Sequence, residues 1–134
     1  MASTAGGAFG FASGLIIQEF GYDDDVDETL RQVVEAETGT TLVDEDYEDV
    51  ADSAIVWWRD DDGDVDDLTD LLVDAQANLD GAGLIWVLTP KARTTGAVPA
   101  AEVEEAAATA GMHATSAASM GQRWSGIRVS SRGR

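Results

Sequence analysis

The chain has 134 residues, with 26 acids, 8 bases, one His and no Cys, for a formal net charge of −18. This length suits one domain with a core of its own. Zero Cys excludes disulfides, thiolate metal sites and a Cys nucleophile, one His excludes two-His metal motifs, and so negative a chain speaks against nucleic acid and anionic membranes.

Met1 to Gly14 is rich in small residues and Gly but has no basic start, so it does not read as a signal peptide. Residues 1–13 are expected to be a mobile tail before a single domain over 14–131. Gly14-Leu-Ile-Ile-Gln-Glu-Phe20 is a short apolar run that predicts a first strand. Val26, Leu30, Val33 and Val34 then fall on one face of a helix over about 26–38, with acids at its start and Gly39 as its cap. Residues 40–52 are acidic and irregular, with room for one turn around Tyr47.

Ser53-Ala-Ile-Val-Trp-Trp58 is apolar throughout, as in a strand buried on both faces. Arg59 to Gly63 is a turn, and Asp64 or Asp66 can cap a helix over about 65–79 with Leu68, Leu71, Leu72, Ala75 and Leu79 as its stripe. Asp80-Gly-Ala-Gly83 breaks it, and Leu84-Ile-Trp-Val-Leu88 is a second fully apolar strand. Pro99 opens a helix over about 99–110 and Gly111 ends it. His113–Met120 and Trp124–Ser131 are strands joined by Gly121-Gln-Arg123, hence an antiparallel hairpin at a sheet edge. The order predicts an α/β fold: a single three-layer Rossmann-like domain, with a mostly parallel sheet and an antiparallel C-terminal edge hairpin.

The charge is unevenly placed. Residues 1–80 hold 23 acids against Arg31 and Arg59, a balance of −21, whereas residues 81–134 hold 3 acids and 6 bases, a balance of +3. One acidic face and one neutral-to-basic face follow. Apolar residues make up 44% of the chain, too many for a disordered acidic tail. No apolar run reaches the roughly 18 residues of a membrane span, which fits a cytoplasmic protein.

Trp57-Trp-Arg-Asp-Asp-Asp-Gly-Asp64, Leu84-Ile-Trp-Val-Leu-Thr-Pro-Lys91, Trp124-Ser-Gly126 and the acid-followed run Gly14–Tyr22 resemble the actinobacterial domain-of-unknown-function family 3052. The resemblance spans roughly residues 9–130 and implies no established activity. The element order is also similar to the C-terminal half of class I methyltransferases. That family needs a Gly-rich turn after its first strand, and here Gly21-Tyr-Asp-Asp-Asp25 has no G-x-G pattern.

In open α/β sheets, ligands sit beyond the carboxyl ends of the strands. That rule selects Arg59 and Asp60 after one strand and Thr89 and Lys91 after the next. Lys91, the only Lys, with Arg59 and Arg93 could hold an anion, or be solvated loop charge. Trp124, followed by Ser125, lies in the edge hairpin as core, pocket wall or partner surface. Trp57 and Trp58 point to opposite faces and read as packing, as does Trp86, and His113 reads as structural or exposed.

Asp60-Asp-Asp-Gly-Asp64 fails the calcium-loop template: with Gly63 at position 6, Trp58 occupies position 1 and Thr69 position 12. A solvated turn and helix cap is the simpler reading, and no metal or cofactor is expected. The composite expectation is a non-catalytic binding or regulatory domain whose acidic face meets a basic protein partner. Its rival is a small-ligand-binding domain or degenerate methyltransferase-like enzyme with a cleft around Arg59, Asp60, Lys91, Arg93, Trp124 and Ser125.

Overall fold

A computed structural model describes residues 9–131. Strand β1 (Ile17–Phe20) leads to helix α1 (Glu28–Thr38), and strand β2 (Ala51–Trp57) to helix α2 (Val65–Ala77). Strand β3 (Leu79–Pro90), helix α3 (Ala100–Thr109) and the hairpin β4 (Met112–Met120) and β5 (Trp124–Ser131) complete the chain. The sheet order is β1-β2-β3-β5-β4. β1, β2 and β3 pair in parallel, and β5 runs antiparallel between β3 and β4. Val43 adds a one-residue parallel bridge to Gln18 outside β1.

Alternation along the strands builds two cores. Ala54, Val56 and Trp58 pack with Leu68, Leu72, Val103 and Ala106 under α2 and α3. Ile55, Trp57, Trp86 and Leu88 pack with Leu30 and Val34 under α1. The three-layer α/β arrangement follows, with Trp57 and Trp58 on opposite faces as expected from the pleat.

The caps are those the sequence supplies. Asp27 accepts the Thr29 and Leu30 N–H groups at the head of α1, and Gly39 ends that helix at φ 75°. Asp64, not Asp66, caps α2, and Asp67 returns a bond to its backbone. The turn near Tyr47 is a single one, closed by its N–H on the Asp44 carbonyl at 3.2 Å.

Two boundaries move furthest. β3 begins at Leu79 rather than at residue 84, because Leu79 already pairs with Ala51 before the register shifts to Ser53 and Leu84. The domain also begins earlier than residue 14. Phe9 is 1% exposed and meets Trp86 edge-on at 5.7 Å, while its carbonyl accepts the Trp86 Nε1–H at 3.0 Å. Glu37 accepts the backbone N–H groups of Phe9 and Phe11 at 3.2 and 2.9 Å. The small-residue context of these two Phe residues hides the burial that anchors them, which stabilises by about 1.5–3 kcal/mol for one such ring. Residues 1–8 of the expected tail lie outside the described residues.

Candidate functional site

Arg59 follows β2 where the sheet opens, and it is turned inward, only 8% exposed. Its guanidinium forms a bidentate pair with Asp25, through Nε to Oδ2 at 2.9 Å and through Nη2 to Oδ1. Nη1 donates to the Gly21 carbonyl at 2.8 Å, the Trp57 carbonyl at 3.2 Å and Asp62 at 3.3 Å. The planar donor fork of Arg suits this combination of carboxylate and carbonyls. Burial alone would lower the Arg59 pKa, but the bonds to Asp25 and Asp62 outweigh it and raise it. The same bond holds the Asp25 carboxyl below the usual carboxylate range, aided by the charge of Arg123.

The clamp is fixed from every side. Gly21, at φ 78°, lies against β2 so closely that a Cβ there would collide with the Trp57 carbonyl oxygen. This glycine therefore serves strand packing. Asp62 accepts the Arg59 N–H at 2.9 Å, and Asp60 donates its N–H to the Gly96 carbonyl at 3.0 Å. The Trp124 ring, 3% exposed, lies 5.5 Å from the Arg59 guanidinium and meets Trp57 edge-on at 4.8 Å.

Two hollows remain above the clamp, sharing Asp25, Arg123 and Trp124. One of about 300 Å³ also touches Pro90, Thr94 and Thr95. The other, of about 490 Å³, lies against Asp27–Thr29 and the Gly121–Gln122 turn. Both volumes fall in the size range of ligand pockets.

The six expected site residues separate here. Arg59 and Trp124 come together; Trp124 lines both hollows, and Arg59 meets them only through its partner Asp25. Lys91 donates from Nζ to the Gly121 carbonyl at 3.1 Å, an exposed bond to the β4–β5 turn. Arg93 is exposed at φ 70°, and Asp60 faces solvent; neither lines a hollow. Ser125 lines a different groove, with Pro90 and Ile127. Asp25 and Arg123 were missed. Asp25 is one of several adjacent acids, and nothing in its residue type marks it as Arg59's partner.

The acids around the crevice are of two kinds. Asp25 and Asp62 are paired with Arg59. Asp23, Asp24, Asp60 and Asp61 are exposed and, among the described residues, form no ion pair. Arg31, the other base of the acidic block, is half-buried and also paired. It pairs with Glu19 at 2.8 and 2.9 Å and with Glu28 at 3.0 Å, and those bonds raise its pKa despite burial. The buried Glu19 accepts the Trp57 Nε1–H at 2.8 Å as well. Asp62 turns in to Arg59 and Asp64 caps α2, so two carboxylates of the Asp60–Asp64 run have structural work.

The fold is Rossmann-like α/β, with a mostly parallel sheet and an antiparallel end. Solved structures with that fold include a magnesium protoporphyrin IX methyltransferase from Synechocystis with bound SAH (TM-score 0.57, 8% identity, 89% of this chain and 74% of that one). Another is a methyltransferase from Pyrococcus furiosus (TM-score 0.56, 13% identity, 89% and 76%). The chain itself belongs to the family described as Protein of unknown function (DUF3052), which matches residues 6–133. Uncharacterised proteins of Mycobacterium bovis and Mycobacterium tuberculosis are each 46% identical over 114 residues, 85% of this chain and 70% of theirs. Among the described residues, no helix is long and apolar enough to cross a membrane.

Proposed function

We propose that this chain is a non-catalytic α/β binding domain, and that the acidic rim at the carboxyl end of its sheet receives a basic segment of a protein partner. The observation that carries this reading is the fate of the two bases in the acidic block. Arg31 and Arg59 are both committed to other acids, so the rim carboxylates Asp23, Asp24, Asp60 and Asp61 form no ion pair among the described residues. Unpaired charge of one sign on adjoining loops steers an oppositely charged partner and makes its association salt-sensitive. Arg59 supports the non-catalytic half of the reading, since its guanidinium is already held by Asp25, Asp62 and the Gly21 and Trp57 carbonyls.

The test is titration of a fluorescent octalysine peptide into the full chain across a salt series. Tight binding at low salt that weakens steeply as salt rises is expected. Binding that stays unchanged with salt would overturn electrostatic recognition.

A second reading keeps a small ligand in the hollows between Asp25, Arg123 and Trp124, favoured by their volume and by structural neighbours that hold SAH. S-adenosylmethionine at a hundredfold excess over its Kd would add about 2.7 kcal/mol of stability. A thermal-shift measurement that shows no rise removes this reading for that ligand.

A further inference from the structure

The two edges of the sheet are treated differently by the sequence. β1 has only four residues, and its outer side is occupied. Glu19 N–H donates to the Val43 carbonyl at 2.8 Å, Val43 N–H to the Ile17 carbonyl at 3.1 Å, and Gly21 N–H to Glu45 at 2.9 Å. β4, at the other end of the order, is nine residues long and has a strand on one side only. Natural edge strands are protected by charge, proline, shortness or a bulge. β4 holds no Lys, Arg, Asp, Glu or Pro, and its single irregularity lies at Thr115. From Ser116 to Met120 it keeps unbroken register with β5. Thr115 to Ser119 are all exposed, and all are small.

We infer that this edge is the pairing surface of a homodimer, in which Ser116–Met120 of two copies join antiparallel about a two-fold axis at Ala118 and make one ten-stranded sheet. A second copy is the occupant that the charge selects. A two-fold contact through the acidic block would set acid against acid, because residues 1–80 carry −21. β4 is free of charge and belongs to the part with a balance of +3. A copy of itself brings an equally small, uncharged strand, and a two-fold axis makes the match automatic. The apolar groove of about 380 Å³ between Val98, Pro99, Ala117 and Ile127 continues this uncharged surface onto one face of the strand. The occupant of the acidic rim is a separate matter, since the rim lies at the ends of other strands.

Sedimentation of the full chain at micromolar concentration should give twice the 14.1 kDa chain mass, in high salt as in low. The absence of native Cys makes a single introduced thiol unique. Ala118→Cys should form a covalent dimer under mild oxidation, whereas Asp74→Cys, on exposed α2, should not. Ala118→Lys sets like charges opposite each other at the axis and should weaken the dimer at least tenfold. Ser116→Lys is the second such variant, should Ala118→Lys alter the circular dichroism spectrum. Neutralising Asp23, Asp24, Asp60 and Asp61 to Asn should leave the dimer intact, which separates this result from the fate of the rim. A monomer at all concentrations would overturn the inference. So would an Ala118→Cys chain that crosslinks no faster than Asp74→Cys, the outcome for a head-to-tail contact between acidic rim and basic hairpin.

Discussion

The part of the chain through Asp80 and the part after it use their bases in opposite ways. In the first, both arginines point inward: Arg59 ties Asp25 to two strand-end carbonyls, and Arg31 ties Glu19 to Glu28. In the second, Arg93, Arg123 and Arg128 are exposed. Charge segregation on this surface is therefore sharper than the sequence count alone indicates. The first part spends its few cations on fixing loops and leaves its rim acids bare. The cost of that choice is electrostatic repulsion in the folded state, and the return is a surface with a field.

The largest expected effect lies where the two parts are sewn together. Phe9 belongs to the first and Trp86 to the second, so Phe9→Ala should lose about 3–5 kcal/mol in denaturant unfolding. A loss below about 0.5 kcal/mol would mean that the segment does not hold the sheet.

Next comes the contrast between inward and outward arginines. Arg59→Met leaves the Gly21 and Trp57 carbonyls short of a donor and Asp25 without its partner. A loss of about 2–4 kcal/mol is expected, below the full value for a buried pair because Asp25 is half exposed. Arg123→Met should stay within about 0.5 kcal/mol of wild type. Equal losses for the two would erase the distinction between the parts.

A third effect separates them by pH. Arg59 holds Asp25 below its ordinary value, and the Asp67 backbone N–H does the same for Asp64. A carboxyl whose folded pKa is lowered stabilises fully above its unfolded pKa, about 3.9. That contribution is lost as pH falls through the lowered folded value. The melting-temperature advantage of wild type over Asp25→Asn should therefore shrink as pH falls below about 4, so the acid limb is shallower in Asp25→Asn. An Asp25→Asn chain with an acid limb as steep as wild type would deny the Asp25–Arg59 pair this role.

The smallest effect concerns the bare acids. Single replacements of Asp23, Asp24, Asp60 or Asp61 by Asn should change stability by no more than about 0.5 kcal/mol, and in the stabilising direction, because each relieves repulsion. Consistent destabilisation in thermal melts would show that these groups have ionic partners; the Asp24 N–H that Asp23 Oδ1 accepts at 2.7 Å stays available to an Asn.

Periodicity made the layers legible. Leu30, Val33 and Val34 marked α1, with Val26 packing just ahead of its Asp27 cap, and two fully apolar runs marked the central strands, because burial on both faces leaves no polar position. Gly39 and Asp64 were legible as caps because their roles are local. Phe9 was hidden for the opposite reason: its partners, Glu37 and Trp86, lie far along the chain. The site was read in part. The strand-end rule found Arg59 but could not say that its donors turn inward, since that depends on Asp25 arriving from another loop. Lys91 stood out as the only Lys, but its bond to the Gly121 carbonyl, 30 residues away, had no local signal.

The central claim is that the acidic rim, and not negative charge in general, recognises a basic partner. Two quadruple variants of equal net charge decide it. One replaces Asp23, Asp24, Asp60 and Asp61 by Asn; the other replaces Glu48 by Gln and Asp49, Asp74 and Asp80 by Asn, all exposed and outside the rim. Octalysine affinity at fixed low salt should fall at least tenfold in the rim variant and stay within about twofold of wild type in the other. Equal losses in both would contradict a located binding surface.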